Sequence, residues 1–266
     1  MTGVELYHFP ESLCSQKVRL VLAEKNIAWK SHIVNWLTFE NLQPNYIRLN
    51  PKGVVPTLVH NGKVICDSAV IIRHLDQHFP GPKLTPADPA LQETMNAWID
   101  RQNRFPMRAI MYGNLKGIDR LVAHRTVAIK EKLLPRLIQQ HPDLKELYAA
   151  KLADVQIWNQ TLQDAEKIAQ INTQIEPLLD PLTHQLSQSD WLCGADYSLA
   201  DAVWTTVLSR LEELGFGPLW EGGKRDAIAP YLSRLKARPS YSAAIQNDTM
   251  PVSMVLSGLR RIFLGI

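Results

Sequence analysis

The chain has 266 residues, 45% of them hydrophobic, with a formal net charge of +3. That is enough apolar material for a full core and excludes general disorder, while the charge is too small to argue a nucleic-acid partner. MTGVELYHF lacks the basic-then-apolar pattern of a signal peptide, and no run approaches the roughly 18 apolar residues of a transmembrane helix.

VELYHF (Val4–Phe9) is a short strand candidate. Ser15 to Lys25 predicts a helix, with Cys14, Val18, Val21 and Leu22 on one face at spacings of three and four. WKSHIVN alternates and reads as a second strand, followed by a short helical or irregular piece through FENLQPNYIRLN. In TLVHNGKVICD, Asn61-Gly62 lies between two apolar runs. It is a strong hairpin signal, because a type I′ turn needs positive φ at both central residues. Ser68 to Phe79 is again helical, with Ile71, Ile72, Leu75 and Phe79 inward. The order β-α-β-(α)-β-β-α predicts a mixed sheet of about four strands, the first two parallel and the last two antiparallel, with helices over its faces.

FPGPKLTPADPA (Phe79–Ala90) holds four prolines and a glycine and reads as a linker. Beyond it no strand pattern recurs. ALQETMNAWIDRQNRF, DLKELYAAKLADVQIWNQTLQ, INTQIEPLLDPLTHQLSQ and LADAVWTTVLSRLEEL are helical by periodicity or propensity. SLAD (Ser198–Asp201) fits an N-cap with an acid at N3. The expected organisation is an α/β domain over 1–80, a linker over 81–90 and a larger all-helical domain over 91–266. The cysteines, Cys14, Cys66 and Cys193, are odd in number and lack metal-ligand spacing. They argue against a disulfide framework or a zinc site and for a reducing, cytoplasmic setting.

Three separated motifs, in order, resemble the glutathione transferase superfamily. LYHFPESLCSQKVRLVLAEK resembles its first strand, active-site turn and first helix. RLNPKGVVPTLVHNGKVICDSAVIIRHL resembles its proline turn, hairpin and acid-Ser elements. WLCGADYSLADAVW resembles the entry to the central helix of its second domain. SLCS, NYIRLN and VVPTLV look like the tetrachlorohydroquinone dehalogenase branch. SQKVRLVLAEK, WLCGADYSLAD and LGFGPLWEGGKR look like the ganglioside-induced differentiation-associated family. The stretch around 118–166 resembles the helical insertion of that second family, which often carries a C-terminal membrane anchor. The resemblance implies a thioredoxin-like first domain, a helical-bundle second domain, glutathione as co-substrate, no metal and a homodimer.

It also implies site residues. Ser12 matches the serine that stabilises the glutathione thiolate; a free thiol has a pKa of about 8.5, and a hydroxyl at a helix N-terminus favours the anion. From the residues alone, Ser12 or Ser15 is equally a helix cap. Cys14 matches the cysteine that attacks a glutathionyl adduct in the dehalogenase branch; its bland reading is packing beside Val18 and Val21. Val55-Pro56 matches the cis-proline turn that pairs with the cysteinyl backbone. Asp67 and Ser68 match the acid-Ser pair that holds the γ-glutamyl end, and are otherwise a cap. Cys66 is expected to point into the core. Many transferases carry lysine where this chain has Val54, and Lys52 is the nearest substitute for binding the glycyl carboxylate. Met107, Met111 and Tyr112 are expected near the electrophile, with Trp36 and Phe39 as weaker candidates.

The implied function is a glutathione transferase-like enzyme that activates the thiol against a small, apolar electrophile by conjugation or reductive dehalogenation, a detoxification chemistry. The alternative is a binding or regulatory protein with little or no turnover on the same scaffold. The tail, MPVSMVLSGLRRIFLGI, carries one apolar stripe at helical spacing. It either folds back over the first domain or lies on an anionic membrane surface.

Overall fold

In the computed structural model, which describes residues 3–265, the alternating VELYH segment forms β1 (Val4–His8) and buries Val4, Leu6 and His8 on one face. β2 (Lys30–Ile33) pairs with β1 in parallel. β3 (Thr57–His60) pairs antiparallel with both β1 and β4 (Lys63–Cys66), giving the order β2-β1-β3-β4. Asn61 and Gly62 join β3 to β4 with φ of 51° and 81°, as a type I′ turn requires. The mixed sheet with its Asn-Gly hairpin is the expected one.

Three helices complete this domain: α1 (Leu13–Glu24), α2 (Pro44–Leu49) and α3 (Ser68–His78). The expected apolar face of α1 needs correction. Cys14 is exposed, while Lys17 and Arg19 are buried. The physical reason is that α1 packs on two sides, against α3 and against the second domain, so Ser15 to Leu22 are all covered whatever their polarity.

The second domain is built of helices and loops, with one isolated bridge, Trp191 to Gly194, among its described residues. It contains α4 (Pro89–Arg104), α5 (Met107–Gly113), α6 (Gly117–Gln140), α7 (Lys145–Gln163), α8 (Ala165–Asn172) and α9 (Ile175–Leu186). α10 (Leu199–Glu213), α11 (Ile228–Lys236), α12 (Pro239–Tyr241) and α13 (Val252–Leu264) follow. Periodicity does not single out the long α6; Pro135 stands inside it and charged residues dilute its apolar stripe. At the start of α10, Ser198 and Asp201 form the predicted capping box.

Two apolar clusters hold the molecule together. The first joins the sheet, α1 and α3 to α4, α9, α10 and α11, with Trp98 edge-on to Trp204 at 5.5 Å. In the second, Phe39, Leu42 and Ile47 of the first domain pack with Val127, Leu134 and Tyr148 of the paired helices α6 and α7. The Tyr148 hydroxyl donates to the Leu42 carbonyl at 2.9 Å, and Arg48 pairs with Asp143 at 2.7 Å. Phe39, a weak pocket candidate, is therefore core.

The tail takes the folded-back course. α13 lays Gly258 against Leu37, so closely that a Cβ at 258 would stand 2.4 Å from the Leu37 Cβ. Asn35 Nδ2 donates to the Met254 carbonyl at 3.1 Å, and Ile262 is buried. No helix among the described residues is long and apolar enough to cross a membrane.

Candidate functional site

The sheet register carries the predicted site segments to one end of the sheet. His8, the last residue of β1, pairs with Ile33 at the end of β2. Tyr7 pairs with Thr57, the first residue of β3, and Thr57 pairs with Cys66, the last of β4. The segments beyond these positions therefore line up along one edge. Trp36 follows β2, Ser12 follows β1, Val55-Pro56 precedes β3 and Asp67-Ser68 follows β4.

Ser12 is the N-cap of α1; its Oγ accepts from the Ser15 N–H at 3.4 Å and its carbonyl accepts from Gln16 N–H at 2.8 Å. Leu13 and Cys14 open the helix, and their N–H groups have no acceptor among the described residues. Ser12 Oγ and these amides form the positive end of a helix dipole that suits an anion. Ser15 serves the turn in another way, since it is buried and its Oγ accepts from Phe9 N–H at 3.3 Å. The turn is clamped from beneath by Arg19, which donates to the carbonyls of Pro10 (2.9 Å) and Ala244 (2.8 Å) and pairs with Asp248 at 2.6 Å.

The Val55-Pro56 peptide is cis. Val55 N–H and C=O make no hydrogen bond among the described residues, whereas the preceding Val54 carbonyl accepts from Tyr46 Oη and Asn50 Nδ2, both at 2.8 Å. Asp67 caps α3, its Oδ1 accepting from Ala69 N–H (2.8 Å) and Val70 N–H (3.4 Å). With φ 77° and ψ 120°, Asp67 is held in a conformation that non-glycine residues avoid, which is a common mark of a functional turn. Ser68 is buried beside it. Cys66 is only half-buried, correcting the expectation of a core side chain; its thiol faces the Leu49 carbonyl at 3.9 Å, and burial pushes it up.

Sequence reasoning missed Lys17. It lies one turn beyond Cys14 on α1, is 2% exposed, and donates from Nζ to Gln102 Oε1 of α4 at 2.5 Å. Burial pushes its ammonium down, and the nearby Cys14 and Asp67 pull it back up. Only its i, i+3 relation to Cys14 could have flagged it. It places a cation behind both flanks of the site.

Of the three electrophile-pocket candidates, Met107 is buried in the core and Met111 is half-buried, while Tyr112 lines two neighbouring clefts. Met107 packs from α5 into the first apolar cluster. Lys52 is exposed at the turn before Val54. One of the clefts also carries Trp36, Arg108, Lys130 and Lys151. Among the described residues no group of three or more His, Cys, Asp or Glu side chains could hold a metal ion.

A family model described as glutathione S-transferase, N-terminal domain, matches residues 6–83, and one described as glutathione S-transferase, C-terminal domain, matches residues 132–239. The tetrachloro-p-hydroquinone reductive dehalogenase of Sphingobium chlorophenolicum is 32% identical over 248 residues, covering 92% of this chain and 96% of that protein. The ganglioside-induced differentiation-associated protein 1-like 1 of Homo sapiens is 26% identical over 263 residues, covering 89% of this chain and 72% of that protein. A theta class glutathione S-transferase from Xanthomonas axonopodis pv. citri, solved with glutathione bound, has a TM-score of 0.69 at 21% identity and covers 94% of this chain and 100% of its own. Both branches that the motifs resembled are among these relatives.

Proposed function

Because this chain belongs to the glutathione S-transferase family, we propose that it is a glutathione-dependent enzyme that ionises the glutathione thiol at Ser12 and directs it at a small electrophile held by the second domain. The observation that carries this reading is the alignment of Ser12, the unpaired Val55 backbone and Ser68 along one sheet edge. Ser12 Oγ donates to the thiolate, the first amides of α1 add their dipole, and the α3 cap holds the γ-glutamyl end. Asp67 Oδ1 already occupies two α3 amides, so Ser68 is the donor for the γ-glutamyl carboxylate and Asp67 the partner for its ammonium. Tyr112 faces the electrophile. A non-catalytic scaffold is not favoured, since the relatives include a reductive dehalogenase that is 32% identical over 92% of this chain.

The reaction type follows the exposed Cys14. In reductive dehalogenation the glutathione thiolate forms a carbon–sulfur bond and halide leaves. The Cys14 thiolate then attacks the glutathionyl sulfur; a disulfide forms, the carbon–sulfur bond breaks, and its electron pair takes up a proton. A second glutathione frees Cys14 as glutathione disulfide. A cytoplasmic homodimer with a detoxifying role completes the proposal; the three free cysteines support a reducing setting.

Cys14→Ser should leave simple conjugation intact and stall reductive dehalogenation of a chlorinated hydroquinone at a glutathionyl adduct, detectable by mass spectrometry. Equal dehalogenation by wild type and variant would reduce Cys14 to a bystander and leave conjugation as the activity.

A further inference from the structure

The sheet edge orders the site as Trp36, Ser12, Val55 and Asp67, on β2, β1, β3 and β4 in turn. This edge spans three strand spacings, about 14 Å. A three-residue extended peptide covers about 11 Å, and a γ-linkage lengthens it. Glutathione anchored by its γ-glutamyl end at Asp67-Ser68, with its cysteinyl part between Val55 and Ser12, therefore sends its glycyl carboxylate toward the Trp36 side.

That side is where the chain clusters three cations, two of them without a carboxylate partner among the described residues. Lys130 of α6, Lys151 of α7 and Arg108 of α5 face one narrow cleft of about 50 Å³, partly open to solvent, with Trp36, Tyr112 and Trp158 as its aromatic walls. Asp154 pairs with Arg108 at 3.2 Å, and neither lysine has a carboxylate within ion-pair distance among the described residues. Lys151 Nζ donates to the Lys52 carbonyl at 3.0 Å, so the cleft abuts the turn leading to Val55. Lys130 Nζ stands 5.5 Å from the centroid of the Trp36 ring, which meets Phe9 edge-on at 5.6 Å, three residues before Ser12. Val54, at the turn itself, is 43% exposed and offers no charge.

We infer that the α6–α7 pair completes the glutathione site, with Lys130 and Lys151 forming an oxyanion site for the glycyl carboxylate in place of a first-domain lysine. The inference rests on the glutathione chemistry proposed above. Clustered cations with one carboxylate among them repel, and a bound carboxylate relieves that repulsion. Burial, together with Lys151 and Arg108, pushes Lys130 down to about 7, against the pull of Asp154. Burial likewise lowers Lys151. The groups facing Lys130 are Lys151 and Asp154 of α7, Arg108 of α5 and the Trp36 ring. An oxyanion favours the ammonium form of Lys130, so the contribution of this site to binding falls as pH rises through 7.

The test compares glutathione with its glycyl monoethyl ester, which keeps the thiol and the γ-glutamyl end, by calorimetry on the full chain. Wild type should prefer glutathione by roughly ten- to a hundredfold, the size of one or two charge-assisted hydrogen bonds. This preference should shrink as pH rises above 7. Lys130→Met/Lys151→Met, which keeps the apolar stems, should bind both ligands alike, with a Tm unchanged or raised because repulsion is removed. Lys130→Gln alone should show an intermediate preference. Wild type that binds glutathione and the ester equally overturns the inference, and so does a double variant that keeps the preference. A preserved preference with a raised KM for an anionic aromatic electrophile also overturns it, giving the cations to the second substrate. Wild type that binds neither ligand defeats the underlying function instead.

Discussion

Ser12→Ala should cut kcat/KM for thiol attack by roughly ten- to a thousandfold, the range seen when one donor to a developing or bound anion is removed. The geometry makes the effect specific. Ser12 Oγ accepts only a long 3.4 Å bond from Ser15 N–H, so its own proton is free to point at a ligand. The cap itself is worth about 0.5–2 kcal/mol of stability, and Ser12→Gly, which retains much of the N-cap preference, separates the two effects. The pKa of bound glutathione, followed by thiolate absorbance, should rise in Ser12→Ala toward the free value of about 8.5. Ser15→Ala should behave differently, since Ser15 is buried and holds Phe9 N–H; it should lower Tm and spare the thiol pKa. A Ser12→Ala enzyme with unchanged rate and thiol pKa would move the thiolate to the Leu13 and Cys14 amides alone.

Asp201→Ala should be the most damaging substitution to stability. The side chain is fully buried and accepts four hydrogen bonds: from Leu192 N–H (2.9 Å) and Tyr231 Oη (2.8 Å) on one oxygen, and from Ser198 N–H (2.8 Å) and Ser198 Oγ (2.7 Å) on the other. It thereby ties the entry of α10 to α11 and to the Trp191–Tyr197 loop, all within the first apolar cluster. Truncation leaves three buried donors unpaired and the Ser198 hydroxyl with only Cys193 Sγ at 3.4 Å, a cost of roughly 3–5 kcal/mol. Asp201→Asn should recover little, because its NH₂ presents donors where donors already point. Chemical denaturation of the three proteins checks this; a loss under about 1 kcal/mol in Asp201→Ala would mean that water replaces the carboxylate in the cap.

The parts of this molecule legible in its sequence are those decided by short-range chemistry. Asn61-Gly62 announces its turn because few residue pairs take positive φ twice. Ser198-x-x-Asp201 announces a helix start because cap and N3 residue answer each other locally. The site segments Ser12, Val55-Pro56 and Asp67-Ser68 are legible as motifs, and the register of the sheet explains why segments so far apart in sequence share one edge. What stays hidden depends on tertiary contact. Lys17 is buried because α1 packs against both α3 and the second domain, where its Nζ meets Gln102 of α4, while Cys14 in the first turn stays exposed. Met107 and Met111 lie on one short helix, yet Met107 alone is fully buried, and periodicity cannot say which face meets the core. Lys130 and Lys151 read as ordinary surface charges on helices until α6 and α7 pack together and turn both into one cleft.

The proposed catalysis requires that the thiolate-stabilising turn, the proline turn and the α3 cap receive one tripeptide. Calorimetric titration of the wild-type chain with glutathione at neutral pH tests this most directly. Saturable, one-to-one binding per chain is expected at or below millimolar glutathione. A tripeptide with an α-linked in place of a γ-linked glutamate should bind more weakly, because the two ends must reach Asp67-Ser68 and the Trp36 side together. No heat of binding at millimolar glutathione would contradict the shared site.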